Sequence, residues 1–127
     1  MKMLVAIAFL AANAALAQVP SSNTKTFIQE CKSSLTASDF ADAVRYGYCA
    51  GYVSGIADTS HDVDVSGTYG EVLEATIGWM RSQELSTTPV NKFMPIDGMW
   101  VGTAVHEALL ALYPRDKAHQ GNAQTAP

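Results

Sequence analysis

After residue 17 the chain has no apolar run long enough to cross a bilayer, which takes about 20 residues. It also has no cluster of lysine or arginine. Eight basic residues face twelve acidic ones, a formal charge of −4. That balance argues against nucleic acid and against anionic membrane surfaces as partners. Gly-x-Ser-x-Gly, His-Glu-x-x-His and a phosphate-binding glycine loop are all missing from the sequence. No nucleophile, base and orienting group can be assembled, so neither an enzyme nor a bound cofactor is expected. There is no alternating strand pattern of useful length and no internal repeat. Cysteine is scarce too, with only Cys31 and Cys49.

What is present begins with an export signal. Lys2 gives a positive start, Leu4 to Leu10 an apolar stretch, and Ala15-Leu16-Ala17 a small-x-small cleavage pattern. The expectation is a periplasmic protein cleaved after Ala17, with no membrane segment afterwards. Residues 18–23 form a polar leader. The processed chain of 110 residues carries a formal charge of −5, since Lys2 leaves with the signal. That length suits one domain, placed at 24–114, with a disordered tail over 115–127.

The remaining pattern is helical. Phe27, Ile28, Cys31 and Leu35 share one face of a first helix, capped by Asn23 or Thr24. Thr36-Ala37-Ser38-Asp39 reads as a break and the cap of a second helix of roughly 19 residues, whose apolar stripe is Phe40, Val44, Tyr48, Tyr52 and Ile56. An acidic loop follows from Asp58 to Gly67. Thr68 and Glu71 make a capping box for a third helix carrying Val72, Leu73, Ile77, Trp79 and Met80. Pro95 stands at the first turn of the last helix, or that helix starts later, near Asp97. Trp79, Met99 and Trp100 are at core spacing. The fold expected is all-α: a small bundle of about four helices, the first two joined by a disulfide, with a long acidic loop between helices two and three.

Two cysteines in an exported chain pair by default, and both lie on the apolar stripes of consecutive helices. The competing reading, a reactive thiol, needs a nearby histidine and protection from oxidation. Gly47, Gly51 and Gly55 lie four apart beside Tyr52, forming a small-residue ridge on the second helix. Either a neighbouring helix packs closely there, or the ridge is a surface for a partner or a second copy.

Asp62, Asp64, Ser66 and Gly67 repeat the first half of a calcium loop. The twelfth position, which should be a bidentate glutamate, is Leu73. A solvated loop is therefore expected, with no metal bound there. His61 among Asp58, Asp62 and Asp64 is an equally weak transition-metal set. His106 and Glu107 are adjacent on a helix and point apart, so His106 reads as a boundary residue.

The segment Cys49-Ala50-Gly51-Tyr52-Val53-Ser54-Gly55-Ile56-Ala57-Asp58 resembles the Rap/Tai family of exported immunity proteins. A preceding helix cysteine (Cys31), the helix start Thr68-Tyr69-Gly70-Glu71 and the terminal Tyr113-Pro114 extend the resemblance over about residues 24–114. It implies a small all-α periplasmic protein, often dimeric, that binds and blocks a peptidoglycan amidase toxin delivered by type VI secretion. The sequence departs from the family pattern in one way. Family members usually carry a further cysteine in the loop before the third helix and another after the terminal proline. Both are missing, as in a deleted disulfide, and the expectation is a less rigid loop.

On this reading the partner surface is the acidic loop, with Asp58, His61, Asp62, Asp64 and Tyr69, and the stretch Thr87–Asp97. The mechanism would be steric occlusion of the toxin's cleft. The alternative is an acid-stress chaperone of the HdeA type, or another small helical binding protein without a toxin partner. In the chaperone case, protonation of carboxylates exposes apolar surface.

Overall fold

A computed structural model describes residues 23–36, 38–85 and 94–116. The expected export signal, most of the expected leader, most of Thr87–Asp97 and the stretch from residue 117 lie outside the described residues. Four helices carry the fold: α1 (Thr24–Ser34), α2 (Phe40–Thr59), α3 (Tyr69–Glu84) and α4 (Val101–Leu112). A 3-10 turn at Ile96–Gly98 precedes α4. The described residues contain no strand, only two isolated bridges, Asn23 with Trp100 and Val63 with Pro114.

Each of the first three helices starts where a side chain satisfies an orphan amide. The Asn23 side chain accepts from the Thr26 N–H, and Asp39 accepts from the Asp42 N–H at 2.8 Å. Thr68 and Glu71 form the reciprocal box: the Glu71 N–H donates to Thr68 Oγ1, and the Thr68 N–H donates to Glu71 Oε2 at 2.8 Å. Just before this cap Gly67 adopts φ of 120°, a conformation that glycine takes without steric cost. Thr24 does not cap α1. It is buried, and its hydroxyl donates to the Met99 carbonyl across the bundle.

The Cys31–Cys49 disulfide joins α1 to α2, with the two Cα atoms 5.8 Å apart and both residues fully buried. Around it the core gathers Phe27 and Ile28 from α1, Val53 from α2, and Leu73, Ile77 and Met80 from α3. Ala104, Val105, Ala108 and Leu109 of α4 complete it. α3 packs against all three other helices.

Two expectations about faces are corrected. The Phe40–Ile56 stripe of α2 is not its core face. Phe40 is 70% exposed and Val44 and Tyr48 are exposed, while Cys49, Ala50 and Val53 are buried. A four-residue step overshoots one helical turn by about 40°, so four such steps carry Ile56 about 160° around the helix from Phe40. The stripe therefore winds from solvent towards the interior. Trp100 is likewise 85% exposed, although Met99 beside it is buried. Met99 and Trp100 are extended, with ψ of 153° and 144°. Consecutive extended residues point to opposite sides, so burying one exposes the other. These two extended residues also explain why α4 starts at Val101, later than Pro95 or Asp97.

Candidate functional site

The acidic loop between α2 and α3 is anchored at its middle. The Asp64 N–H donates to the Tyr113 carbonyl at 2.9 Å, and the Arg115 N–H donates to the Asp62 carbonyl at 2.9 Å. These two bonds flank the Val63–Pro114 pair, which needs no amide from proline. Extended geometry sends Val63 inward, where it is 3% exposed and joins the core. Its neighbours Asp62 and Asp64 are left on the outer side. Sequence reading treats this segment as a solvated loop; in the structure, buried Val63 makes it part of the fold.

Asp62 is also held by its side chain. His106 Nε2 on α4 lies 2.9 Å from Asp62 Oδ1. The hydrogen bond from His106 holds the Asp62 carboxyl below its ordinary range; partial burial opposes this, and a backbone hydrogen bond and the nearby imidazoles of His106 and His61 add to it. Asp62 is thus a candidate residue whose side chain is engaged within the chain. His106, read from the sequence as a boundary residue, is the missed member of the site. A contact spanning 44 residues leaves no local signal.

The others gather along one edge. Asp58, His61, Asp64 and Arg115 line a cleft of about 280 Å³. Asp58 also borders an adjoining hollow of about 150 Å³ with Ser54, Gly67 and Tyr69. The Tyr69 side chain is 71% exposed at the first position of α3. The edge therefore offers carboxylates, an imidazole, a guanidinium and an exposed aromatic. This is a recognition chemistry of charged hydrogen bonds around an apolar anchor. Among the described residues, no group of three or more His, Cys, Asp or Glu side chains could hold a metal ion.

The glycine ridge departs from the packing expectation. Among the described residues, a Cβ placed on Gly47, Gly51 or Gly55 would meet nothing within 4 Å. No described helix approaches that side of α2, because α1, α3 and α4 all lie on the side of Cys49 and Val53. Tyr52, which shares the segment, turns inward instead. Its ring lies 5.4 Å from that of Phe27 and 6.2 Å from that of Tyr48, and burial followed by the neighbouring Tyr48 raises its hydroxyl pKa. The close approach occurs at a different glycine. The Tyr46 hydroxyl would lie 2.6 Å from a Cβ on Gly70, so glycine there admits the Tyr46 ring to the first turn of α3.

That ring borders another cleft, of about 630 Å³, between the end of α1 and α3. Lys32, Thr36, Glu74 and Arg81 line it, and none of these was a candidate from the sequence. Compared with known proteins, the chain matches no family model, no curated protein and no solved structure.

Proposed function

We propose that this protein is a binding protein without catalytic chemistry of its own, and that its partner is a peptidoglycan amidase toxin met in the periplasm. The partner rests on the Rap/Tai resemblance. The observation that carries a binding role is the edge formed by Asp58 at the end of α2, His61 and Asp64 on the loop and Tyr69 at the start of α3, with the loop tied at its midpoint to the end of α4. A loop held in one shape loses little entropy on binding. Such a loop can enter and occlude a cleft, and its hydrogen-bonded anchor lies between the loop and the chain just after Pro114, where the family pattern has its additional cysteines.

The test is affinity capture with the exported, disulfide-bonded chain, followed by inhibition of the recovered hydrolase. Stoichiometric recovery of a cell-wall amidase, lost on Asp58→Ala with Tyr69→Ala, supports the reading. Capture that survives both substitutions rejects this edge as the contact.

A chaperone role is favoured by a different observation, the large exposed apolar side chains of Phe40, Leu85 and Trp100. It predicts protection of an aggregating client at pH 2–4. The exposed glycine side of α2 is the surface available to a second copy, since bare backbone allows two helices to approach closely.

A further inference from the structure

We propose that the His106–Asp62 contact is a pH-responsive clasp that sets how firmly the 60–68 loop is held against α4. Three fastenings hold the middle of this loop: Val63 in the core, the paired backbone bonds of Asp62 and Asp64, and the imidazole–carboxylate contact. Only the last can change charge under mild conditions. Histidine is the side chain that ordinarily titrates between pH 5 and 8.

The direction follows from the chemistry of the two forms. A neutral imidazole carries one proton, shared between two tautomers, and only the Nε2–H form donates to Asp62. The imidazolium always donates from Nε2 and adds a full positive charge opposite the carboxylate, making a charge-assisted bond. The clasp is therefore tighter at mildly acidic pH and looser above the histidine range. Far below that range the Asp62 carboxyl protonates and the clasp opens again.

The charged groups around the pair are of both signs. His61 on the loop also favours the ionised Asp62. Asp58 from α2, Asp64 from the loop and Arg115 beyond α4 line the neighbouring cleft, while Glu107 follows His106 on α4. The two side chains are 33% and 44% exposed, so solvent screens the pair and the effect is modest. The structural clasp stands by itself. Its consequence for partner binding rests on the proposed role of the loop.

The experiment is amide hydrogen exchange on the disulfide-bonded chain, read at the Asp64 and Arg115 amides at pH 5.5 and pH 8 and corrected for intrinsic exchange. The Ile77 amide, in the middle of α3, reports global opening. The wild type should show about two- to fivefold greater protection at pH 5.5 for the two clasp amides, relative to Ile77. His106→Gln, which keeps a donor but does not titrate, should abolish that difference. Equal protection at both pH values in the wild type, or the same pH dependence in His106→Gln, overturns the clasp. Asp62→Asn gives a second route to the same answer. No partner is needed, so failure of the clasp is seen in the free protein. Failure of the recognition role appears separately, as partner binding that survives Asp58→Ala with Tyr69→Ala.

Discussion

Val63 and Pro114 face each other as an isolated antiparallel pair, and this pair stitches the acidic loop to the end of the last helix. The proline carries no amide to donate, and the pairing places it where none is called for. Val63 supplies the apolar weight of the junction. Val63→Ala should cost about 2 kcal/mol through lost burial and the cavity left behind. Urea titration measures that cost. The Asp64 and Arg115 amides should exchange faster in the same variant, and unchanged exchange there would show that Val63 does not hold the loop.

The disulfide closes a short stretch of chain, with its cysteines separated by 18 positions. In the chain-entropy view such a closure is worth about 3 kcal/mol. The double variant Cys31→Ala with Cys49→Ala should lose about that much in urea, a large part of a total of roughly 5–15 kcal/mol. Alkylation of the denatured wild type should find no free thiol. Two reactive thiols in protein taken directly from its compartment would contradict the bond.

Gly51→Ala and Gly55→Ala should each stabilise the isolated chain by about 0.5–1 kcal/mol, because alanine is the better helix former and the new methyl meets nothing. Thermal unfolding at low protein concentration is the measurement. Destabilisation that grows with protein concentration would instead place a second copy on this face.

Thr76 is fully buried in the middle of α3, and its hydroxyl has no hydrogen-bond partner among the described residues. An unsatisfied buried polar group costs about 1–3 kcal/mol. Thr76→Val keeps the shape and removes the hydroxyl, so a gain of about 1 kcal/mol is expected. Leu73→Ala beside it should lose about 2–5 kcal/mol. Both are read from chemical denaturation, and a loss in Thr76→Val would mean the hydroxyl is paired.

The carboxylates pull in opposite directions with pH. Asp62, through the hydrogen bond from His106, and Glu71, through the Thr68 N–H, are held below their ordinary range. The unfolded chain takes up those protons first. The stability that their ionisation adds is present above about pH 4.5, where for Asp62 it is largest while His106 is charged, and is lost as pH falls through their lower folded values. Glu84 is the reverse case, raised first by burial and then by the carboxyl of Asp97. Its contribution favours the fold at low pH and is lost as pH rises through its folded value. Glu84→Gln should therefore stabilise the protein more at pH 7 than at pH 4. Equal effects in paired urea titrations would reject the assignment.

The legible parts of this molecule were local. Asn23, Asp39 and Thr68 announce helix starts because each cap bond reaches only three residues along the chain. The stripe of α2 misled because a four-residue step looks straight in sequence and drifts on a 3.6-residue helix. The glycine ridge was visible as a pattern, yet whether it is packed or open depends on where the other helices stand. Asp58, His61, Asp64 and Tyr69 were found as candidates by their chemistry. Their gathering along two adjoining hollows was not visible in their spacing.

From its residues alone, this chain settles its helical class, where three of its helices start and the pairing of its two cysteines, since those depend on local bonds and on there being only two cysteines. Tertiary packing decides the rest: which side of α2 faces solvent, why Val63 is buried in an acidic loop, and that His106 meets Asp62. Those outcomes are set by contacts between residues tens of positions apart, and they exist only once the helices have competed for a single core.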